Sequence, residues 1–398
     1  MESSDQQNPG RAVEAGSARP PRRVFSLIGA VAAVVMAALL AQTLLANPGV
    51  FLRGLPSSGQ QAPDGGQVVT PSGTPGVDYS AMTMVSPSDG WLFGATYSNN
   101  PAGGPCGGCS PFIVHYDGSQ WRRVAAPATA SIAAASMLSS TDGWAVAQDT
   151  IFHYTGGAWT VAYTYAVPNE TIFLNAITMV SPDEGWVGGS ESGPTTGSGF
   201  LLHYFSGKWQ RVDLPDASRR SFGVNGISML SPKEGWALEM IYSPDAGTGT
   251  RLIHYVNGAW HAAGDVIPAT LTGLAAVSAQ TVWMVGAVTG TTGGIFRYDA
   301  GQIAQVASPT PNILHAVTML SPTDSWAVGD GAATLHWDGT QWTKVGLIIH
   351  GVALMGVSFA ASGEGWAEGN GESSDAQGAM LLHYSRGAWR VYPLKIGG

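Results

Sequence analysis

Hydrophobic and polar positions alternate along most of this chain in short runs, cut at regular intervals by Ser-Pro, Asp-Gly and Gly-rich turns. The best-preserved unit opens with Ala176-Ile177-Thr178-Met179-Val180-Ser181-Pro182-Asp183-Glu184-Gly185-Trp186. After a Gly-rich stretch it resumes as Leu201-Leu202-His203-Tyr204-Phe205-Ser206-Gly207-Lys208-Trp209. Its β-prone runs predict an inner strand A over 177–180, strand B from Trp186, strand C around His203 and Tyr204, and strand D from Trp209 to Val212. The unit recurs seven times. Its first tryptophan is Trp91, Trp144, Trp186, Trp236, Trp283, Trp326 and Trp366, and a period of about 46 residues with four strands per repeat marks a propeller blade. The pattern therefore predicts an all-β, seven-bladed β-propeller over 78–398. Its blades fall near 78–125, 126–166, 167–215, 216–266, 267–308, 309–346 and 347–398.

Four further slots repeat with the first tryptophan. Trp121, Trp159, Trp209, Trp260, Trp342 and Trp389 occupy a second tryptophan slot in strand D, and blade five carries Ile303 there. Tryptophans at repeat spacing are core between neighbouring sheets, each removing roughly 150–250 Å² from water, and not a sugar platform. Met84, Met137, Met179, Met229 and Met319 pack inner strands in the same way. His115, His153, His203, His254, His336 and His383 share one slot of strand C, which Arg297 fills in blade five. Six histidines on six separate blades do not converge on one ion, so no metal is expected; they are local hydrogen-bonding groups. Asp89, Asp142, Glu184, Glu234, Asp324 and Glu364 each stand two residues before a first tryptophan. They are expected to accept hydrogen bonds from their own A–B turns.

A different segment precedes the repeats. Residues 24–46 carry no charge over 23 positions and are rich in Ala, Val and Leu, which predicts a transmembrane helix across a hydrocarbon core about 30 Å thick. Arg11, Arg19, Arg22 and Arg23 lie ahead of it and only Arg53 close behind, an asymmetry that places residues 1–23 in the cytoplasm and the remainder outside. The apolar run is longer than the core of a cleaved signal peptide, so an uncleaved signal-anchor is expected, and no Cys follows it to carry a lipid. Residues 47–77, rich in Pro, Gly and Ser, form a flexible spacer.

Charge narrows the partners. Beyond residue 46 the 18 Lys and Arg fall by four to 14 and the 27 Asp and Glu by three to 24, a net of −10. Nucleic-acid binding needs a basic stripe, and none exists. The two cysteines, Cys106 and Cys109, sit in Gly-Gly-Pro-Cys-Gly-Gly-Cys-Ser-Pro, running into a strand rather than a helix. Outside the cytoplasm a disulfide is the expected state, with a redox dithiol or half a zinc site as alternatives.

In such a propeller the B–C and D–A loops share one face. Loop length varies there while the A–B and C–D turns are uniform, and variable loops on a rigid frame carry specificity. The candidate binding residues are Tyr97, Glu191, Tyr242, Asp245, Glu372 and Asp375 from B–C loops. Tyr163, Tyr165, Arg219 and Arg220 join them from D–A loops.

At the C–D hairpin, Tyr116-Asp117-Gly118-Ser119-Gln120-Trp121 and Trp337-Asp338-Gly339-Thr340-Gln341-Trp342 resemble abbreviated Asp-boxes, the bacterial neuraminidase repeats. With Gly143-Trp144-Ala145-Val146 and Trp326-Ala327-Val328-Gly329, they resemble the propeller family that includes the photosystem II assembly and stability factor. The resemblance implies a non-enzymatic scaffold outside the cytoplasm that docks a protein; the Arg patch expected in that factor has no counterpart here. The expectation is a monomeric, membrane-anchored propeller without cofactor, binding a protein or surface glycan. The alternative is a cell-envelope glycoside hydrolase of sialidase-like type, which would need three converging arginines and a Tyr–Glu pair.

Overall fold

The computed structural model describes residues 76–97, 109–127, 131–193, 197–215, 220–243, 247–346, 349–361, 363–371 and 378–394. They form seven four-stranded antiparallel sheets, each built from four consecutive strands. Blade one runs Val77–Ser86, Asp89–Tyr97, Cys109–Tyr116 and Trp121–Val124, and blade seven runs Val352–Ala361, Glu364–Gly371, Met380–Ser385 and Ala388–Tyr392. The A strands neighbour one another in order around the ring, and that of blade seven neighbours that of blade one. Among the described residues closure is thus by packing of whole blades. The span 24–46, its predicted helix and the spacer up to residue 75 lie outside the described residues. Among the described residues no helix is long and apolar enough to cross a membrane, and the single helical element is a 3-10 turn at Asp330–Ala332.

The tryptophan slots explain why the blades stick. Each first tryptophan but Trp236 turns toward the next blade and meets that blade's strand-D tryptophan edge to face, as Trp186 meets Trp260 at 5.3 Å and 89°. The closing seam uses the same contact, Trp366 on Trp121 at 5.3 Å and 88°. Trp91, Trp186, Trp236, Trp283 and Trp366 are all fully buried. Such pairs add about 0.5–1.5 kcal/mol each beyond the area they bury.

The histidine and acid slots prove to be one device. His115–Asp89, His153–Asp142, His203–Glu184, His254–Glu234, His336–Asp324 and His383–Glu364 are bonded through Nε2 at 2.5–3.3 Å, while each ring lies against its own blade's first tryptophan, His203 at 4.0 Å and 9° from Trp186. The expectation that the acids serve their own turns is corrected. Serine does that work: Ser86, Ser139, Ser181, Ser231, Ser278 and Ser321 accept from the N–H two residues on, at 3.1–3.3 Å. The carboxylates, at the start of strand B, reach the histidines of strand C. Blade five has Thr281 in the acid slot and Arg297 in the histidine slot, so the two halves of the device are missing together.

Glu184→Ala is expected to cost about 1–2 kcal/mol, and His203→Phe, which keeps a flat ring on Trp186, about the same. In urea unfolding the double variant should lose no more than either single change; additive losses would show that the pair is not a unit.

Candidate functional site

The B–C and D–A segments do share one face, because backbone bonds tie them together: Thr250 N–H donates to the Ile267 carbonyl at 2.9 Å, Gly293 N–H to Pro311 at 2.8 Å, and Tyr165 N–H to Asp149 at 2.8 Å. The B–C insertions at 189–199 and 243–250 are largely strand, not loop. In blade three, strands B and C run Glu184–Ser192 and Gly197–Phe205; in blade four they run Glu234–Ser243 and Gly247–Val256. These blades therefore raise stiff hairpins at the rim.

Blade four carries the most unusual part of this rim. Its inner strand, Arg220–Ser231, has three register shifts, more than any other inner strand described, and the extra one falls between Ser221 and Gly223. A bulge aims its additional residue away from the ladder, and here that residue is Phe222, 36% exposed. The Arg220 guanidinium lies over the Phe222 ring at 5.2 Å. Tyr242, 46% exposed, is the strand-B register partner of Arg220 and so stands on the same face. No carboxylate among the described residues pairs with Arg220. A cation stacked on one exposed aromatic, with a second exposed aromatic on the neighbouring strand, is the composition of an interface hot spot.

The other sequence candidates divide. Glu191 lies in strand B of blade three and is held by Arg211 at 2.7 and 2.9 Å and by the Ser198 hydroxyl at 2.6 Å. Hydrogen bonds from Arg211, working against burial, hold its carboxyl below the usual range. The Tyr165 hydroxyl accepts from Arg211 at 2.7 Å, but its ring is buried on Phe200 at 4.8 Å, so Tyr165 is core and not a free loop residue. Tyr163 ends strand D of blade two and packs, half-buried, on the same cluster. Arg219, Asp245, Glu372, Asp375 and Cys106 lie outside the described residues, as do the side chains of Tyr97 and Cys109. The structure thus brings Arg220 and Tyr242 together, adds Phe222, and joins Glu191 to Arg211.

The inner strands also hold a belt of residues that sequence reasoning missed. Ser80, Asn175, Asn225, Thr272, His315 and Met355 each sit at a bulge eleven residues before a first tryptophan. Asn175 Nδ2 donates to Asn225 Oδ1 at 3.2 Å across two blades, and His315 Nε2 meets Asp330 Oδ1 at 2.6 Å. The signal was a polar residue, in five of the six, breaking the alternation at a fixed offset. A 630 Å³ depression beside Thr292, Gln305 and Pro309 has no ionisable lining. Among the described residues no group of three His, Cys, Asp or Glu is placed to hold a metal ion. Four of the described arginines have separate local carboxylate partners: Arg122 with Asp117, Arg211 with Glu191, Arg251 with Glu239, and Arg297 with Asp299.

No protein-family model and no curated protein matches this chain. Solved structures do. The chain is similar in fold to YCF48. The structure described as YCF48 bound to D1 peptide aligns at 17% identity and TM-score 0.53, covering 79% of this chain and 95% of that one. YCF48 from Cyanidioschyzon merolae aligns at 15% and 0.54, covering 79% and 97%. Virginiamycin B lyase from Staphylococcus aureus aligns at 15% and 0.50, covering 73% and 91%. The two YCF48 structures accord with the sequence resemblance to the photosystem II assembly factor type of propeller. At these identities they establish a shared seven-bladed fold.

Proposed function

We propose that this chain is a non-catalytic scaffold that holds a polypeptide segment of a protein partner against the rim of blades three and four, displayed outside the cytoplasm by an anchor over 24–46. The observation that carries this reading is the Arg220–Phe222–Tyr242 patch. A bulge that leaves a phenylalanine in water gains nothing for the fold, whereas aromatic and arginine anchors are where interfaces concentrate their energy. A fold neighbour that binds a peptide supports the same choice of partner over a glycan. The net charge of −10 beyond residue 46, from the 14 basic and 24 acidic residues there, gives Arg220, which no carboxylate among the described residues pairs with, a distinct role, recognition of a carboxylate on the partner.

The test is a random peptide library displayed on phage and panned against the full chain in detergent. Selected peptides should bind the Phe222→Ser, Tyr242→Ser double variant at least about tenfold more weakly, with thermal unfolding unchanged. Equal binding to both proteins, or selection of a surface glycan from an array in place of any peptide, would overturn the reading. For the anchor, the protein should stay with membranes through an alkaline carbonate wash; release with an N-terminus near Asn47 would contradict it.

A further inference from the structure

Six of the seven blade seams are spanned by the chain itself, through a D–A segment, whereas no described segment of the chain crosses the seam between blade seven and blade one, where side chains make the fastenings. On strand B of blade seven, Trp366, Glu368 and Asn370 point to the same side, as alternate residues of a strand must. Trp366 meets Tyr116 of blade one at 5.1 Å. Asn370 clamps the backbone of Tyr79, its Oδ1 accepting from the N–H and its Nδ2 donating to the carbonyl, both at 2.8 Å. The Ser358 hydroxyl accepts from Met84 N–H at 2.9 Å.

Glu368 stands between these fastenings. It is 1% exposed, its Oε2 has no hydrogen-bond partner, and no cation among the described residues pairs with it. The equivalent residue, two past the first tryptophan, is Phe93, Val146, Gly188, Leu238, Val285 or Val328 in the other blades. Gly356 is its strand-A register partner, and a Cβ added there would lie 2.5 Å from Glu368 Oε1. Leu381, its partner on strand C, belongs to the cluster shared with Leu92, Phe112 and Val114 of blade one. The titratable groups on this seam are the phenols of Tyr79 and Tyr116 from blade one and Tyr392 from blade seven. The Glu364–His383 pair lies along the same strands, and Arg390, exposed, bonds to Ser385. From blade one, strand B offers Leu92, and strand D offers Trp121 and, two residues on, the exposed Arg123, register partner of Val114. A carboxylate placed there has neither water nor a counter-charge, so burial pushes Glu368 up to about 8.

We propose that Glu368 is a proton-dependent latch on ring closure: with its carboxyl protonated the seam between blades seven and one is shut, and release of that proton to solvent loosens this seam alone. The ionised group regains hydration only by admitting water, and no described segment of the chain crosses this seam to resist the separation. The energetic gap between shut and open is set by the side chains named above.

Amide hydrogen exchange of the full chain in detergent micelles, followed by mass spectrometry at pH 6 and pH 9 with each rate divided by its intrinsic rate, tests the latch. Peptides over 77–86 and 352–371 should lose about tenfold protection, in step with the tenfold excess of ionised over protonated groups one unit above the midpoint. Peptides over 171–192 and 220–231, at the three–four seam, should change by less than about twofold. Glu368→Gln should abolish the selective loss, and Glu368→Leu, which installs the residue of blade four, should do so should the Gln variant fail to fold. The same selective loss in these variants, or an equal loss at every seam, would overturn the proposal.

Discussion

Replacing Arg251 by Met is expected to destabilise the propeller by about 3–5 kcal/mol, seen as a lower urea midpoint at unchanged slope. Arg251 is 4% and Glu239 1% exposed, and the guanidinium Nε and Nη2 donate to Glu239 Oε2 at 2.9 and 2.7 Å. Truncating the cation strands a carboxylate in an apolar seam. Removing both charges does not: Glu239→Leu with Arg251→Met should be neutral or more stable than the parent by about 1–4 kcal/mol. The pair still has a positional role, because Nη2 also holds the Pro215 carbonyl at 2.6 Å, just ahead of the strand that carries Arg220 and Phe222. The double variant should therefore fold well and bind selected peptides more weakly. A double variant as unstable as Arg251→Met alone would refute the stranded-charge explanation.

Glu368→Leu should have the opposite sign and a comparable size, but only in alkaline solution. The folded carboxyl titrates near 8 against 4.5 in the unfolded chain, so between those values the native state holds a proton that the unfolded state has lost. Stability is then greatest below about pH 4.5, falls as pH rises, and reaches its full loss above about pH 8. The whole swing is up to about 5 kcal/mol. Guanidinium unfolding at pH 5 and pH 9 should show the leucine variant gaining on the parent by about 3–5 kcal/mol at the higher pH, with little gain at the lower. An equal difference at both values would mean that the leucine acts through packing alone.

The blades were legible because their seams demand the same large, flat side chains at each turn of the repeat, and no other arrangement of Trp91 through Trp366 buries them all. What stayed hidden was how the slots meet. Asp89 and His115 are 26 residues apart but Asp142 and His153 only 11, since the B–C hairpin between them varies, so no fixed spacing betrays the bond. The clue was joint loss in blade five, Thr281 with Arg297. Phe222 was illegible for a different reason: an inserted residue inside a strand looks like ordinary strand sequence, and only the ladder reveals that it has been left out. Tyr165 misled because a D–A residue after a long strand D falls back onto the core under the next blade's hairpin.

Six seams carry an edge-to-face tryptophan pair at 5.3–5.8 Å. The seam between blades four and five does not, because Ile303 stands where the second tryptophan would be and Trp236 meets only Tyr298 there, at 4.7 Å. A closed wheel with one thin joint still turns as a rigid body, for a ring opened once remains a chain of locked neighbours. With the latch at Glu368 released, the gap opens between blades seven and one, on the far side of the ring from blade four and its Arg220 patch. Opening and closing the wheel would leave that patch intact.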